Sequence, residues 1–209
     1  MRDCIFLVAD TNMEAAFKGF LERDQFYQSL QCGAFEFNAK QDLIVASGDN
    51  DPGLYTRAHE ILRSYTQTHS HAIVVLDAEW EGSPGAEQIT KHITNNLSQS
   101  GWDTEMLKVI VIDPELENWI WQKNLHVATA LGMNSVQDIT TDLWPEGQTK
   151  PERPKETLEA VLKRNRIPRS SAIYNKITSH VSVGHCQDAS FQLLKSTLQA
   201  WFPMGGYSS

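Results

Sequence analysis

Acidic side chains follow three apolar segments of the sequence, each at the point where the segment ends. They are Asp10 after the first segment, Asp77 and Glu79 after a later one, and Glu115 and Glu117 after the last. Hard divalent cations prefer oxygen ligands, and Mg²⁺ usually takes few carboxylates, with water and substrate phosphate completing its shell. The pattern therefore predicts a Mg²⁺ or Mn²⁺ site suited to chemistry on phosphate esters.

The acids divide into predicted metal ligands and predicted catalytic groups. The ligands are Asp10, Asp77, Glu79 and Glu117, and the catalytic residues are Asp10 and Glu115. Asp77 and Glu79 are the more specific pair, because alternate residues at a strand end point to the same side. Glu115 or Glu117 would complete a second metal position or act as a base, one facing the site and the other solvent, and we favour Glu115 because it is nearer the strand end. Each acid alone has a structural alternative, since Asp after a strand often forms a turn or a helix cap.

Apolar periodicity predicts alternating strands and helices over most of the chain. The predicted strands are Cys4–Ala9, a β region covering 34–37 and 43–46, Ala72–Leu76 and Leu107–Ile112. Helical spacing predicts helices at 13–23, 54–65 and 86–97, and a further helix that begins at Glu115. This alternation predicts an α/β fold of the Rossmann-like kind, a mostly parallel sheet flanked by helices. Such sheets bind ligands outside the carboxyl ends of their strands, which is where the acids lie.

The composition of the sequence changes after residue 132. We predict an α/β core over residues 1–132, a loop or linker over 133–154, a mainly helical region over 155–203 that packs on the core, and a tail over 204–209. The segment Lys150–Ser196 carries a net charge of +5 within a chain whose formal charge is −8. The acidic remainder is better suited to reach phosphate through a metal than directly.

The basic segment is the best candidate for contact with a nucleic acid. Its predicted contacts to a phosphate backbone are Lys150, Arg153, Lys155 and Arg164. The alternative is that these side chains form a solvated helix face.

Several other classes of protein lack support in the sequence. No Walker-type or dinucleotide-binding Gly-rich loop and no Gly-x-Ser-x-Gly motif is present. No apolar run approaches the roughly 18 residues of a membrane span. Three cysteines, Cys4, Cys32 and Cys186, have no close pairing, which predicts a reduced, cytoplasmic protein.

Three short segments resemble the Toprim domain, and more particularly Toprim-like proteins related to the OLD nucleases, many of which are encoded in bacterial phage-defence loci. The segments are Leu7–Glu14, Val74–Pro84 and Asp113–Ile120, the last similar to a Pro-Glu-x-Glu-x-Trp stretch of that group. The resemblance implies a Toprim-like core, a Mg²⁺ or Mn²⁺ cofactor and nuclease activity in anti-phage defence. It also implies a partner, either a nucleic acid or a larger defence protein.

Two departures from the Toprim pattern leave a second function open. Asp10-Thr11 stands where those domains usually carry Glu and Gly, and Asp77-Ala78-Glu79 stands where they carry Asp-x-Asp. Both changes keep the charge but alter the reach of the side chain. The alternative is therefore a non-catalytic Toprim-like subunit that docks onto a larger protein, which exposed tryptophans would favour. We expect Trp119 and Trp121 to be core residues rather than a platform for stacking bases.

Overall fold

One parallel sheet forms the centre of the fold. The computed structural model describes residues 1–46, 48, 50–142, 148, 150–181 and 186–205. Within this part of the chain, four strands form an all-parallel sheet in the order β2-β1-β3-β4. The strands are β1 Arg2–Val8, β2 Leu43–Val45, β3 His69–Asp77 and β4 Leu107–Ile112. The predicted α/β class, with helices flanking the sheet and a helical C-terminal region, is confirmed.

Helices alternate with the strands and then make up the C-terminal region. They are α1 Thr11–Leu21, α2 Phe26–Leu30, α3 Ala39–Asp42, α4 Asn50–Leu62, α5 Ala86–Gln99, α6 Glu117–Ile120, α7 Leu125–Ala130, α8 Val136–Asp142, α9 Pro154–Arg164, α10 Ser171–Thr178 and α11 Ala189–Trp201. Short 3₁₀ turns at Arg63–Tyr65 and Thr104–Met106 precede β3 and β4. None of the described helices is long and apolar enough to cross a membrane.

The order of the strands reverses between β1 and β3. After β1 the chain crosses to β2 on one side, and it later returns to place β3 on the other side. Crossovers that leave in opposite directions open a crevice at the carboxyl ends of the two strands. Val8 pairs with Val75 in the register, so β1 and β3 finish at nearly the same level. Asp10 follows β1 and Asp77 ends β3, which puts both acids at this crevice.

Three local predictions were wrong. Residues 34–37 form no strand, because the N–H of Gly33 donates to the carbonyl of Phe202 at 2.6 Å and the N–H of Glu36 donates to Asp3 Oδ2 at 2.7 Å. These donors are satisfied outside any strand ladder. Helix α4 begins at Asn50 rather than at residue 54, and the segment predicted to be a linker contains α8.

The C-terminal helices pack on the α/β core through α10 and α11. Helix α10 crosses α1 at Gly19, where an added Cβ would lie 2.6 Å from the carbonyl oxygen of Asn175 and would also overlap Thr178 Oγ1. Helix α11 packs against β4 and α2. Lys195 Nζ of α11 donates to Gln31 Oε1, just after α2, at 2.9 Å. The helical region is thereby held over the helix that follows Asp10.

A buried carboxylate joins the amino-terminal ends of β1 and β3. Asp42 is fully buried and accepts hydrogen bonds from the guanidinium of Arg2, from the N–H of Asn38 at 2.6 Å and from Nε2–H of His69 at 3.2 Å. Burial raises the pKa of Asp42, but the bonds from these three donors outweigh burial and leave the pKa below its ordinary value.

We expect Asp42→Asn to lower the free energy of unfolding by about 2 kcal/mol or more at neutral pH, because buried donors lose a charged acceptor. Since the folded pKa of Asp42 is lowered, this contribution is present above about pH 4 and is lost as the pH falls through the folded value. Urea denaturation at several pH values measures both effects. Asp24→Asn, at an exposed position, is the control; equal unfolding free energies for the two variants at neutral pH would contradict this role of Asp42.

We expect Gly19→Ala to destabilise the protein by about 1–3 kcal/mol through overpacking against α10. Alanine has the better helix propensity, by about 1 kcal/mol, so an isolated α1 would gain stability from the same change. Thermal unfolding decides between the two effects. A raised melting temperature would mean that α1 and α10 do not approach each other this closely.

Candidate metal centre

Asp77 is the last residue of β3 and has a buried oxygen with no partner. Its Oδ1 atom accepts no hydrogen bond from the described residues. The backbone N–H of Asp77 donates to Oδ1 of Asp51 at 2.8 Å, which fixes the two acids beside each other. A buried, unpartnered carboxylate oxygen is unfavourable. The atom therefore requires either a proton or a cation.

Four other carboxylates act on Asp77. Burial first, and then the charges of the neighbouring acids, raise the pKa of Asp77 well above its ordinary value. The neighbours are Asp51, Glu117, Asp10 and Glu115. These five residues, the acidic cluster, follow or end the four strands of the sheet, so each strand contributes at least one carboxylate.

Asp10 has a second role as the cap of α1. Its Oδ1 accepts the N–H groups of Asn12 and Met13, each at 2.8 Å. Such a cap satisfies donors that the first helical turn leaves without partners. Both bonds use the same oxygen, so capping leaves Oδ2 available for a cation. The structural alternative for Asp10 is therefore compatible with the predicted ligand role.

Asp51 is the one acid of the cluster that the sequence did not predict. It lies in the first turn of α4, the helix that follows β2 in the chain, within a segment whose composition resembles a loop. Burial raises the pKa of Asp51, and the charge of Asp10 adds to this, although the N–H of Asp77 opposes it. The sequence signal was weak, because Asp51 is separated from the apolar residues of β2 by a polar segment and β2 is only three residues long.

Glu115 and Glu117 both turn inward. The carbonyl oxygen of Pro114 accepts the N–H groups of Ala78 at 3.1 Å and Glu79 at 3.2 Å, which holds the end of β4 beside the end of β3. Glu115 is 8% exposed and Glu117 is 3% exposed. The prediction that one of them faces solvent was wrong, because α6 begins only at Glu117 and Glu115 precedes the helix.

Each of these glutamates lies opposite a cation from the C-terminal region. Glu115 Oε1 accepts the backbone N–H of Lys155 at 2.9 Å, and Lys155 Nζ lies 3.5 Å from Oε2. Glu117 Oε1 accepts the hydroxyl of Tyr174, and Arg169 Nη2 lies 3.6 Å from it. Burial and the charge of Glu117 raise the pKa of Glu115, while Lys155 opposes the shift.

Glu79 does not join the acidic cluster. Strand β3 ends at Asp77, so the alternation that paired Asp77 with Glu79 does not extend to residue 79. The side chain of Glu79 is exposed. The structure therefore replaces Glu79 by Asp51 as the second acid beside Asp77.

The predicted phosphate contacts lie in three different settings. Lys150 points inward, where Nζ donates to the carbonyl oxygens of Asn118 at 2.6 Å and Trp121 at 2.5 Å, and burial lowers its pKa. This structural role removes Lys150 from the predicted contacts. Arg153 and Arg164 are exposed at the two ends of α9. The fourth predicted contact, Lys155, lies on the first turn of α9 and faces Glu115.

The tryptophans near the cluster are core residues, as predicted. Trp119 is 9% exposed, and its Nε1–H donates to Asp188 Oδ1 at 3.0 Å and Ser190 Oγ at 2.9 Å. Trp121 is fully buried and donates to the carbonyl oxygen of Pro154 at 2.8 Å. None of the described tryptophans is exposed, so they do not provide the docking surface that the alternative function would use.

The acidic cluster fits a divalent cation in chemistry but is not a closed set of ligands. Across the described ranges, no three His, Cys, Asp or Glu side chains converge closely enough to hold a metal ion as they stand. The donors are all carboxylate oxygens, as Mg²⁺ and Mn²⁺ prefer, and Oδ1 of Asp77 lacks a partner. Asp77, Asp51 and Oδ2 of Asp10 are the residues that would hold the ion, with water or substrate oxygens completing the shell.

We expect Asp77→Asn to stabilise the metal-free protein at neutral pH. Because the folded pKa of Asp77 is raised, ionising this group destabilises the fold, and the free energy of unfolding falls as the pH rises from about 4 through the raised pKa. Asparagine removes that charge and should raise the melting temperature by roughly 2–4 °C for each kcal/mol gained. Thermal unfolding in EDTA across this pH range measures the difference.

Glu79→Gln is the matched control for Asp77→Asn, since it removes one exposed negative charge two residues away. Its melting temperature should stay close to that of the unsubstituted protein at every pH. A destabilised Asp77→Asn variant at neutral pH would show that the carboxylate already has a favourable partner.

No protein-family model, no curated protein and no solved structure matches this chain. The resemblance to Toprim-like proteins therefore stays a prediction that depends on three short segments. The parallel sheet and the acidic cluster are the observations from which a function is argued.

Proposed function

We propose that this chain binds Mg²⁺ or Mn²⁺ at the acidic cluster and hydrolyses phosphodiester bonds of a nucleic acid. The observation that supports the proposal most strongly is the buried, unpartnered Oδ1 of Asp77, which lies beside Asp51 and near enough to Asp10, Glu115 and Glu117 for their charges to raise its pKa. A set of carboxylates that raises its own proton affinity is unfavourable without a cation. Such a set is easier to explain as a binding site than as a structural device.

The residues of the cluster would have two different roles, metal binding and general-base catalysis. Asp77, Asp51 and Asp10 would hold the cation, which when bound would polarise a phosphate oxygen and lower the pKa of a water molecule. Glu115 would be the general base for the attacking water, since burial and the charge of Glu117 raise its pKa toward the pH at which a base must work. Lys155 and Arg169 lie on the opposite side, where a substrate phosphate would meet positive charge.

The charge distribution supports a polyanionic substrate. The protein has a formal net charge of −8, yet Arg153 and Arg164 are exposed on α9, whose first turn also carries Lys155 at the cluster. A basic rim beside an acidic centre offers contacts to neighbouring phosphates while the cation engages one of them. The resemblance to OLD-related proteins adds the proposal that such cleavage serves a bacterial defence system.

A non-catalytic subunit of a defence complex is the second candidate. The pairing of Glu115 with Lys155 and of Glu117 with Arg169 favours it, because each glutamate already has a cation of the same chain opposite it. In that case the acidic cluster would be a remnant of a catalytic site. A stable complex with a larger defence protein, together with absence of metal binding, would support this candidate.

We expect the purified protein to cleave single-stranded or duplex DNA or RNA in Mn²⁺ or Mg²⁺, with no cleavage in EDTA. Asp77→Asn and Asp51→Asn should each reduce the rate by at least about 100-fold, because small displacements of a reacting group already reduce rates to that degree. Gel analysis of end-labelled oligonucleotides measures the rate.

Glu79→Gln serves as the control in this assay, because its side chain is exposed and lies outside the cluster. It should retain the activity of the unsubstituted protein. Cleavage that survives Asp77→Asn would contradict the proposal and would indicate a contaminating nuclease.

A further inference from the structure

Two cationic side chains from the C-terminal region lie beside the acidic cluster but at distances longer than a charge-assisted hydrogen bond. Lys155 Nζ is 3.5 Å from Glu115 Oε2, and Arg169 Nη2 is 3.6 Å from Glu117 Oε1. Both distances exceed those of a charge-assisted hydrogen bond, which are about 2.7–2.9 Å. The same carboxylates make closer bonds to other donors, namely the backbone N–H of Lys155 and the hydroxyl of Tyr174. The charged side chains are therefore the loosest partners of the two glutamates.

The two members of each ion pair also differ in exposure. The side chain of Lys155 is 45% exposed and that of Glu115 only 10%, while the values are 37% for Arg169 and 4% for Glu117. A cation at the rim can turn into solvent by changing its rotamer. The buried carboxylates cannot follow, because their backbones are fixed at the end of β4. The mobile half of each pair is therefore the cation.

Arg169 has a second acid to hold it after it leaves the cluster. Its Nη1 donates to Glu159 on α9, and the side chain of Glu159 is 46% exposed. Arg169 can thus give up Glu117 and remain paired. Lys155 lies on the same helix at its first turn, close to solvent. Neither movement requires a change in the packing of α9 or α10.

A divalent cation and these two side chains compete for the same negative charge. Positive charges in one site repel each other, so either occupant weakens the binding of the other. A substrate phosphate reverses this competition, because it attracts the released side chains and also supplies oxygen ligands to the metal. By linkage, phosphate and metal then strengthen the binding of each other.

We propose that Lys155 and Arg169 are exchangeable internal counter-ions, which neutralise Glu115 and Glu117 in the metal-free protein and transfer to a substrate phosphate when a divalent cation binds. The proposal concerns the regulation of the acidic cluster and rests on the proposed function. It makes metal occupancy dependent on the phosphodiester substrate. The cluster is then fully loaded only when a substrate is present.

The test is a calorimetric titration of Mn²⁺ into the full chain at low ionic strength, with and without a short phosphorothioate-linked DNA that resists hydrolysis. The variants are Lys155→Met and Arg169→Met. Lys163→Met is the control, because it removes the same charge from an exposed position on the same helix.

We expect Lys155→Met to bind Mn²⁺ about two- to fivefold more tightly than the unsubstituted protein when DNA is absent. The reason is that the substitution removes the ammonium group that competes with the metal, and its partly exposed ion pair with Glu115 is weak. DNA should tighten Mn²⁺ binding to the unsubstituted protein, and this gain should be smaller in Lys155→Met. Arg169→Met should behave in the same way, and Lys163→Met should change neither quantity. A residue that only supports the fold is not expected to raise the affinity for Mn²⁺ and at the same time to reduce the effect of DNA on that affinity.

Two results would overturn the inference. Mn²⁺ affinity that is unchanged or weaker in both Lys155→Met and Arg169→Met means that these cations do not compete with the metal. Coupling to DNA that stays undiminished means that they do not transfer to phosphate. Absence of Mn²⁺ binding to the unsubstituted protein overturns the proposed function as well, so failure of the inference alone is distinguishable.

Discussion

The carboxylates that follow or end the four parallel strands repel one another, and the other features of the site compensate for this repulsion. A parallel sheet directs the carboxyl ends of its strands to one edge, and the reversal of strand order at β1 and β3 opens that edge into a crevice. Acids placed there approach one another whether or not a ligand is present. The surrounding structure compensates with the N–H groups at the start of α1 and with Lys155 and Arg169 from the C-terminal region.

The C-terminal region therefore has an electrostatic role as well as a packing role. Helix α10 crosses α1 at a glycine, and the first turn of α9 is bonded to Glu115 through a backbone N–H. These contacts bring two cations to the cluster and leave their charged ends near solvent. The opposite edge of the sheet is built differently, because Asp42 there is surrounded by donors and has no unpaired oxygen among the described contacts. The buried carboxylate of Asp42 has donors for both of its oxygens, whereas Oδ1 of Asp77 has none among the described residues.

The sequence predicted the sheet and most of the cluster, because continuous apolar runs mark β1, β3 and β4 and because acids directly follow them. It did not predict Asp51, since a three-residue strand has almost no periodicity and the following segment has the composition of a loop. It included Glu79 because alternation was extended past the last residue of β3. The partners of Glu115 and Glu117 could not be predicted, since they come from helices distant in the chain that tertiary packing brings together.

The most direct test of this account is anomalous diffraction from crystals of the protein soaked in Mn²⁺. We expect a manganese peak bound to the carboxylate of Asp77, at a metal–oxygen distance of about 2.0–2.1 Å by comparison with Mg²⁺ sites. Asp51 or Asp10 should lie within the same coordination shell, and Glu79 should not. A Mn²⁺-soaked crystal with no peak at the acidic cluster, or with its strongest peak at another site, would contradict the central claim that the cluster exists to hold a divalent cation.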